Sequence, residues 1–316
     1  MEHNIKLSIV VPVFNVEQYV EQCIRSLLHP TEKNYEVIVV NDGTRDHSID
    51  IVRDKIHDER VRIVNKENGG LSSARNYGIK HAIGEYVWCF DSDDWAETEL
   101  IPDIISKLHG IDLLTFNKRF DDYEDGEIIH QLKREATTGR ELACMPYDHG
   151  APFYIYRRGM LEENGMSFKE GLLHEDSLFT PMVILKSNKV FCYDKPVYHY
   201  RRCRQGAITS IVYPKRLDDL IYVISSLVDY GESLDAHIKY EWGRCIAQLT
   251  NELLLCSMKC DDMDARNRTK MFVNNNRYLI EYLCHSSKKN RIMTLLSQVL
   301  FGNLYVSYTL LYKLRY

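Results

Sequence analysis

Over its first 117 residues the chain alternates short β-branched runs with helical repeats, and this alternation constrains the fold more than any other feature. "LSIVVPVF" is followed by "VEQYVEQCIRSLL", in which Val16, Tyr19, Val20, Cys23, Ile24 and Leu27 recur at helical spacing. "YEVIVV", "VRIV", "EYVWCF" and "IDLLTF" predict further strands; "HSIDIVRDKI" and "LSSARNYGIKHAI" predict further helices. Strands this continuously apolar are buried on both faces, so the pattern predicts an α/β fold with a mostly parallel sheet flanked by helices. Polar residues collect just after the strands, in "PVFN", "NDGTRD", "NKENGGLS" and "DSDDW". Ligands of open α/β sheets bind at the carboxyl ends of strands, so a site is expected there.

The rest of the chain reads differently. Residues 118 to 140 are charged and irregular. Residues 150 to 213 mix short strands ("PFYIYR", "KVFCY", "PVYHYR") with a helix beginning near "HEDSLFTPMVILKS". Beyond Pro214 the pattern is almost wholly helical, which predicts three parts: 1–117, 118–213 and a helical region 214–316. A length of 316 residues is enough for two packed units. With 40 basic and 45 acidic residues the net charge is −5, and no basic stripe of the kind that neutralises phosphates is present, so nucleic acid is not expected as a partner.

Nine cysteines (23, 89, 144, 192, 203, 245, 256, 260, 284) form no C-x-x-C pair, which predicts free thiols in a reducing compartment. With no basic region and long apolar core at the N-terminus, the cytoplasm is the expected location. Residues 293–312 carry no charge and are flanked by basic residues. Their polar face favours a packed helix first, then a helix in a membrane interface giving peripheral contact with the inner face of the cytoplasmic membrane, and a true span last.

The carboxylates carry the chemistry. Asp91 and Asp93 form a D-x-D at a strand end, which can hold a hard divalent cation and leave its other positions to water and phosphate oxygens. The alternative is an acidic loop in which Asp94 caps the following helix. Asp42 follows a buried strand and is placed to accept from a nucleobase N–H or a ribose hydroxyl, or simply to end the strand in a turn. In "NKENGGLSSARN" the paired glycines offer backbone N–H groups to an anion, with Arg75 in the following helix. Glu175 and Asp176 precede an apolar helix and serve either as caps or as acid–base groups. Arg201, Arg202 and Arg204 read as a basic loop, solvated or closing over an anion.

The order of these motifs, PVFN, NDGT, NGGLSSARN and FDSDDW with HED behind them, resembles the family 2 glycosyltransferases, inverting nucleotide-sugar enzymes of the GT-A (Rossmann-like) fold. The resemblance implies that 1–117 is the donor half, 118–213 the acceptor half with the catalytic base, and 214–316 an appended helical region. It further implies that Pro12, Asn15, Asp42, Asn68 and Arg75 line the nucleoside pocket, and that Asp91, Ser92 and Asp93 approach ribose and diphosphate. Asp91 and Asp93 would hold Mg²⁺ or Mn²⁺, Arg201 and Arg204 would meet the diphosphate, and Asp176 would be the base, oriented by Glu175. The family's usual D-D-G-S stands here as Asn41-Asp42-Gly43-Thr44. The expected reaction is transfer of a sugar from a nucleotide-sugar donor, with a UDP-sugar as the expected donor, to a hydroxyl of a glycan or lipid-linked saccharide, as in bacterial surface polysaccharides. Two other readings are a donor-binding scaffold without catalysis and a sugar-phosphate nucleotidyltransferase. The latter is disfavoured because the first strand leads into "VPVFNVEQYV", which has no glycine-rich phosphate loop.

Overall fold

A computed structural model describes residues 5–120, 135–201, 213–276, 278, 279, 282, 283, 305, 306 and 309. The chain forms two compact units, Met1–Gln205 and Gly206–Tyr316. The first holds strands β1 (Leu7–Val13), β2 (Tyr35–Asn41), β3 (Val61–Asn65), β4 (Tyr86–Cys89), β5 (Trp95–Ala96), β6 (Leu113–Phe120), β7 (Tyr154–Arg157) and β8 (Val190–Tyr200). Its helices are α1 (Val20–Ser26), α2 (Ser48–Lys55), α3 (Leu71–His81), α4 (Ile101–Lys107), α5 (Gly139–Ala143), α6 (Arg158–Glu163) and α7 (Glu175–Lys186).

The strands form one sheet in the order β3-β2-β1-β4-β7-β6-β8-β5. The expected parallel arrangement holds for β3-β2-β1-β4. Beyond β4 the sheet is mixed, because β7 is antiparallel to both β4 and β6, while β6 and β8 are parallel to each other. β7 therefore enters at the carboxyl edge of β4, where the Trp88 indole N–H donates to the Pro152 carbonyl at 2.8 Å. "KVFCY" and "PVYHYR", expected as two strands, run on as the single strand β8. The break felt in the sequence survives as a register shift opposite Asn117, whose partner is Pro196. Proline cannot donate to the ladder, and the Asn117 amide instead reaches the Asp194 carbonyl at 2.7 Å.

Every residue of β1 is buried, as expected of a strand covered on both faces. Helix α3 lies close on this sheet at Gly78, where a Cβ would come within 2.2 Å of Val10 Cγ1. That close approach carries the side chain of Arg75, one turn earlier, into the interior.

The second unit holds α8 (Pro214–Gly231), α9 (Ala236–Lys259) and α10 (Met263–Asn275), the helices expected after Pro214. Trp242 packs on Tyr230 at 5.4 Å and donates to the Leu227 carbonyl at 2.7 Å, tying α9 to α8. The predicted uncharged helix at 293–312 lies outside the described residues except at Tyr305, Val306 and Thr309. Among the described residues no helix is long and apolar enough to cross a membrane. The seven described cysteines are all free thiols.

Candidate active site

The expected polar clusters meet at the carboxyl edge of β1–β4. After β1 the chain turns through Asn15, which holds a left-handed conformation (φ 53°) that asparagine tolerates better than most residues. Its N–H donates to Thr44 Oγ1 at 2.8 Å and its side-chain oxygen accepts from the Arg45 N–H at 3.2 Å, joining the β1 and β2 turns. Pro12 is buried within β1, whereas Asn15 and Asn68 are exposed.

Asp42 is buried at the end of β2. Its Oδ1 accepts from Lys66 Nζ at 2.6 Å and the Gly69 N–H at 3.0 Å; Oδ2 accepts from the Gly70 N–H at 2.8 Å and Asn68 Nδ2 at 3.1 Å. All four lone-pair directions of the carboxylate are filled. The anion faced by the paired glycines is therefore Asp42 itself, and a nucleobase N–H reaching it must replace one of these donors. Gly70 takes φ 84°, which turns the loop into α3 while its N–H still points at Asp42. Lys66 had no sequence signal beyond its place at the end of a strand.

Arg75 was expected in the nucleoside pocket. The structure buries it to 2% exposure between two carboxylates, with Nη2 2.7 Å from Asp91 Oδ1 and Nη1 2.5 Å from Glu175 Oε1. The Phe168 ring lies 5.3 Å from the guanidinium. Burial alone would lower the Arg75 pKa, but Asp91 and Glu175 together hold it above the ordinary arginine value. The guanidinium thus links the D-x-D after β4 to the first residue of α7, 100 positions away in sequence from Arg75.

Asp176 follows at the opening of α7. Its Oδ1 accepts from the Ser177 N–H at 2.7 Å. The helix N-terminus and Arg75 favour its charged form, but burial and the neighbouring Glu175 charge outweigh them, and its pKa is pushed up to about 7. The residue before the pair, His174, is left-handed (φ 64°), a strained conformation for a side chain with a Cβ. The segment ahead of it is fastened to α3 by a reciprocal pair: Asn76 Nδ2 donates to the Phe168 carbonyl at 2.8 Å, and the Phe168 N–H donates to Asn76 Oδ1 at 2.9 Å. Phe168 also stacks on Phe179 of α7 at 3.9 Å.

Ser92 is buried, and Asp91 and Asp93 are partly exposed. Asp94 departs from expectation: no helix is capped by it. It is buried, accepting from the Tyr198 hydroxyl at 2.5 Å and the Arg201 N–H at 2.7 Å, so it pins the D-x-D loop to the end of β8. The α-helix that follows begins at Ile101, after the two-residue strand β5, where Trp95 pairs with His199, and a single 3₁₀ turn at Thr98–Leu100. Burial, then the Asp93 and Asp91 charges, hold the Asp94 carboxyl well above the usual range. Tyr200 is pushed up to about 12 by burial and then by the Asp94, Asp91, Asp93 and Asp176 charges.

Arg201 is also committed to the protein. Its Nε donates to the Asp93 carbonyl at 2.9 Å and Nη2 to Gln22 at 2.7 Å, and its guanidinium lies 5.0 Å from the Tyr19 ring and 4.5 Å from the Trp95 ring. Arg202 and Arg204 lie outside the described residues.

Asp91 and Asp93 fit a divalent cation by charge. After burial, their charges add to the upward shifts of Asp94 and Tyr200, a surplus of negative charge that a cation would relieve. Asp91 gives Oδ1 to Arg75, and Oδ2 accepts no hydrogen bond among the described residues. No three His, Cys, Asp or Glu side chains among the described residues converge on a metal site. A cation here would complete its shell with water and phosphate oxygens, as Mg²⁺ ordinarily does.

Residues 8–165, half of the chain, match the family model described as glycosyl transferase family 2. The uncharacterized glycosyltransferase EpsJ of Bacillus subtilis is 33% identical over 67% of this chain and 65% of its own length. Glycosyltransferase GlyA of Streptococcus pneumoniae is 30% identical over 74% of this chain and 36% of its own length. The chain thus spans less than two thirds of these relatives. The crystal structure of residues 1–349 of Staphylococcus aureus TarS in complex with UDP-GlcNAc superposes with a TM-score of 0.73 at 21% identity, covering 96% of this chain and 89% of that one. The sheet and its helices have the GT-A architecture, and the chain belongs to glycosyl transferase family 2.

Proposed function

We propose that the chain is an inverting glycosyltransferase that moves a sugar from a nucleoside-diphosphate donor, a UDP-sugar, to a hydroxyl of a glycan or lipid-linked saccharide. The observation that carries this reading is Asp176, a carboxyl raised to about 7 beside the Asp91–Arg75–Glu175 bridge. A base with a pKa near the working pH is ionised in a substantial fraction of molecules yet binds a proton more strongly than an ordinary carboxylate, which suits removal of the acceptor proton. In the step, Asp176 takes that proton as the acceptor oxygen forms its bond to the anomeric carbon. The bond from that carbon to the diphosphate oxygen breaks from the opposite face, inverting the centre.

Asp91 and Asp93 would hold Mg²⁺ or Mn²⁺, which when bound supplies positive charge against the departing diphosphate. Pro12, Asn15, Asp42 and Asn68 form the nucleoside side of the site. A uracil N3–H would take the place of the Lys66 or Asn68 donor on Asp42, and the displaced group would be free to meet a base carbonyl. Arg201 fixes the D-x-D loop in place, and Arg204 remains the candidate for direct contact with the diphosphate. The UDP-GlcNAc bound to Staphylococcus aureus TarS supports a UDP donor, and that relative's name, poly(ribitol-phosphate) β-N-acetylglucosaminyltransferase, supports a hydroxyl-bearing polymer as the class of acceptor.

The deciding experiment is turnover across a panel of UDP-sugars and saccharide acceptors with Mn²⁺. Asp176→Asn is expected to slow transfer about 10³-fold while leaving UDP affinity near the wild-type value. Transfer at the wild-type rate would remove Asp176 from the mechanism, and UDP binding with no turnover in the wild-type protein would favour a scaffold.

A further inference from the structure

We infer that Arg75 is a positioning residue for the base, acting through Glu175, and not a ligand of the nucleotide; the inference rests on the reading of Asp176 given above. Three observations carry it. Both Nη atoms are already within 2.7 Å of carboxylate oxygens, one on each side of the site. The guanidinium is closed over by Phe168, and the side chain is 2% exposed, so no face is open to a base or ribose. Its Nε is buried without a hydrogen-bond partner, so the fork is spent on joining two acids at the expense of its own third direction.

The consequence follows from where those acids sit. Glu175 is the first residue of α7, and Asp176 is the next. A two-pronged bridge from α3 fixes the start of α7 against the D-x-D loop, which sets the distance from the base to the donor. Lysine offers a single point charge and cannot grip both acids in one plane. Removing the bridge leaves Asp91 with both oxygens available to a cation, so donor binding is not weakened by the loss.

The test uses the whole chain and two separate readouts: UDP with Mn²⁺ titrated by calorimetry, and UDP release from the UDP-sugar that the wild-type protein turns over. Arg75→Gln is expected to keep the UDP dissociation constant within about threefold while kcat falls about 100-fold, the size of effect that a misplaced reacting group produces. Arg75→Lys is expected to recover about tenfold of that loss, since charge returns without the fork. In a Glu175→Gln background, Arg75→Gln should change kcat by less than about twofold, because residues acting as one unit are non-additive.

A loss of UDP affinity of about tenfold or more with kcat unchanged would overturn the inference by making Arg75 a nucleotide ligand. So would full additivity with Glu175→Gln. If Arg75→Gln does not fold, as judged by its melting curve, Arg75→Lys carries the same contrast between affinity and kcat. Asp176→Asn, measured alongside, separates the two ideas: undiminished turnover by that variant removes the base, whatever Arg75 does.

Discussion

At the scale of single residues, the site is a set of carboxylates distinguished by their company. Asp42 is satisfied by four donors, Asp94 is sealed beneath Tyr198, Asp91 shares an arginine, and Asp176 has one backbone N–H and a charged neighbour. In the last of these, burial and then the Glu175 charge push the carboxyl up to about 7. Transfer is therefore expected to rise with pH through about 7 as Asp176 loses its proton, and to level off above it, which a kcat–pH profile measures. Stability should run the other way. The folded protein binds this proton more tightly than the unfolded chain does, so the contribution is full below about pH 4 and is lost as pH rises through the folded value. Asp176→Asn should accordingly raise Tm by several degrees at pH 8 and do little at pH 4. An equal shift at both pH values would mean that the carboxylate is not strained by its surroundings.

At the scale of elements, what matters is how the start of α7 is held. Asn76 and Phe168 exchange two hydrogen bonds, and Phe168 in turn stacks on Phe179, so α3 and α7 are fastened side by side. Asn76→Ala removes both bonds and leaves the Phe168 N–H and carbonyl unpaired. It should cost about 1–3 kcal/mol in urea unfolding and slow turnover while UDP binding persists. Unaltered turnover would show that α7 is held without this clamp.

These contacts mark where the sequence stopped being readable. The strands of the parallel half, the helices between them and the polar edge follow from periodicities of two and 3.6, which are local properties. Asp91, Asp93, Glu175 and Asp176 were legible as motifs. Arg75 was legible only as a basic residue early in a helix, because its second partner is 100 residues away. Asp94 looked like a cap because the two-residue strand β5, which delays the next helix, depends on pairing with β8. The antiparallel entry of β7 was invisible for the same reason: strand direction is a property of neighbours, and "PFYIYR" has the same periodicity either way.

At the scale of the whole molecule, the first unit gathers Asp42, Arg75, Asp91 and Asp93 near the carboxyl edge of one sheet, so a single ligand can act on several elements at once. UDP with Mn²⁺ should raise Tm by mass action, by about 2.7 kcal/mol of stabilisation at a hundredfold excess over Kd. UDP alone should do less, and Asp93→Ala should abolish the difference between the two; an undiminished Mn²⁺ effect in that variant would take the cation away from the D-x-D. The long reach of Arg75 also has a meaning for the order in which the chain is assembled. As the protein emerges from the ribosome, Arg75 and Asp91 are made early and can meet at once, whereas Phe168 and Glu175 appear only about 80–100 residues later, a delay of about 5–20 seconds at ordinary synthesis rates. If the donor half folds first, its guanidinium would until then be half-paired and open to water, a hydrated charge where the finished protein has a buried one. Arrival of α7 would then expel that water and complete the base's support together, so closure of the interior and acquisition of the base would coincide.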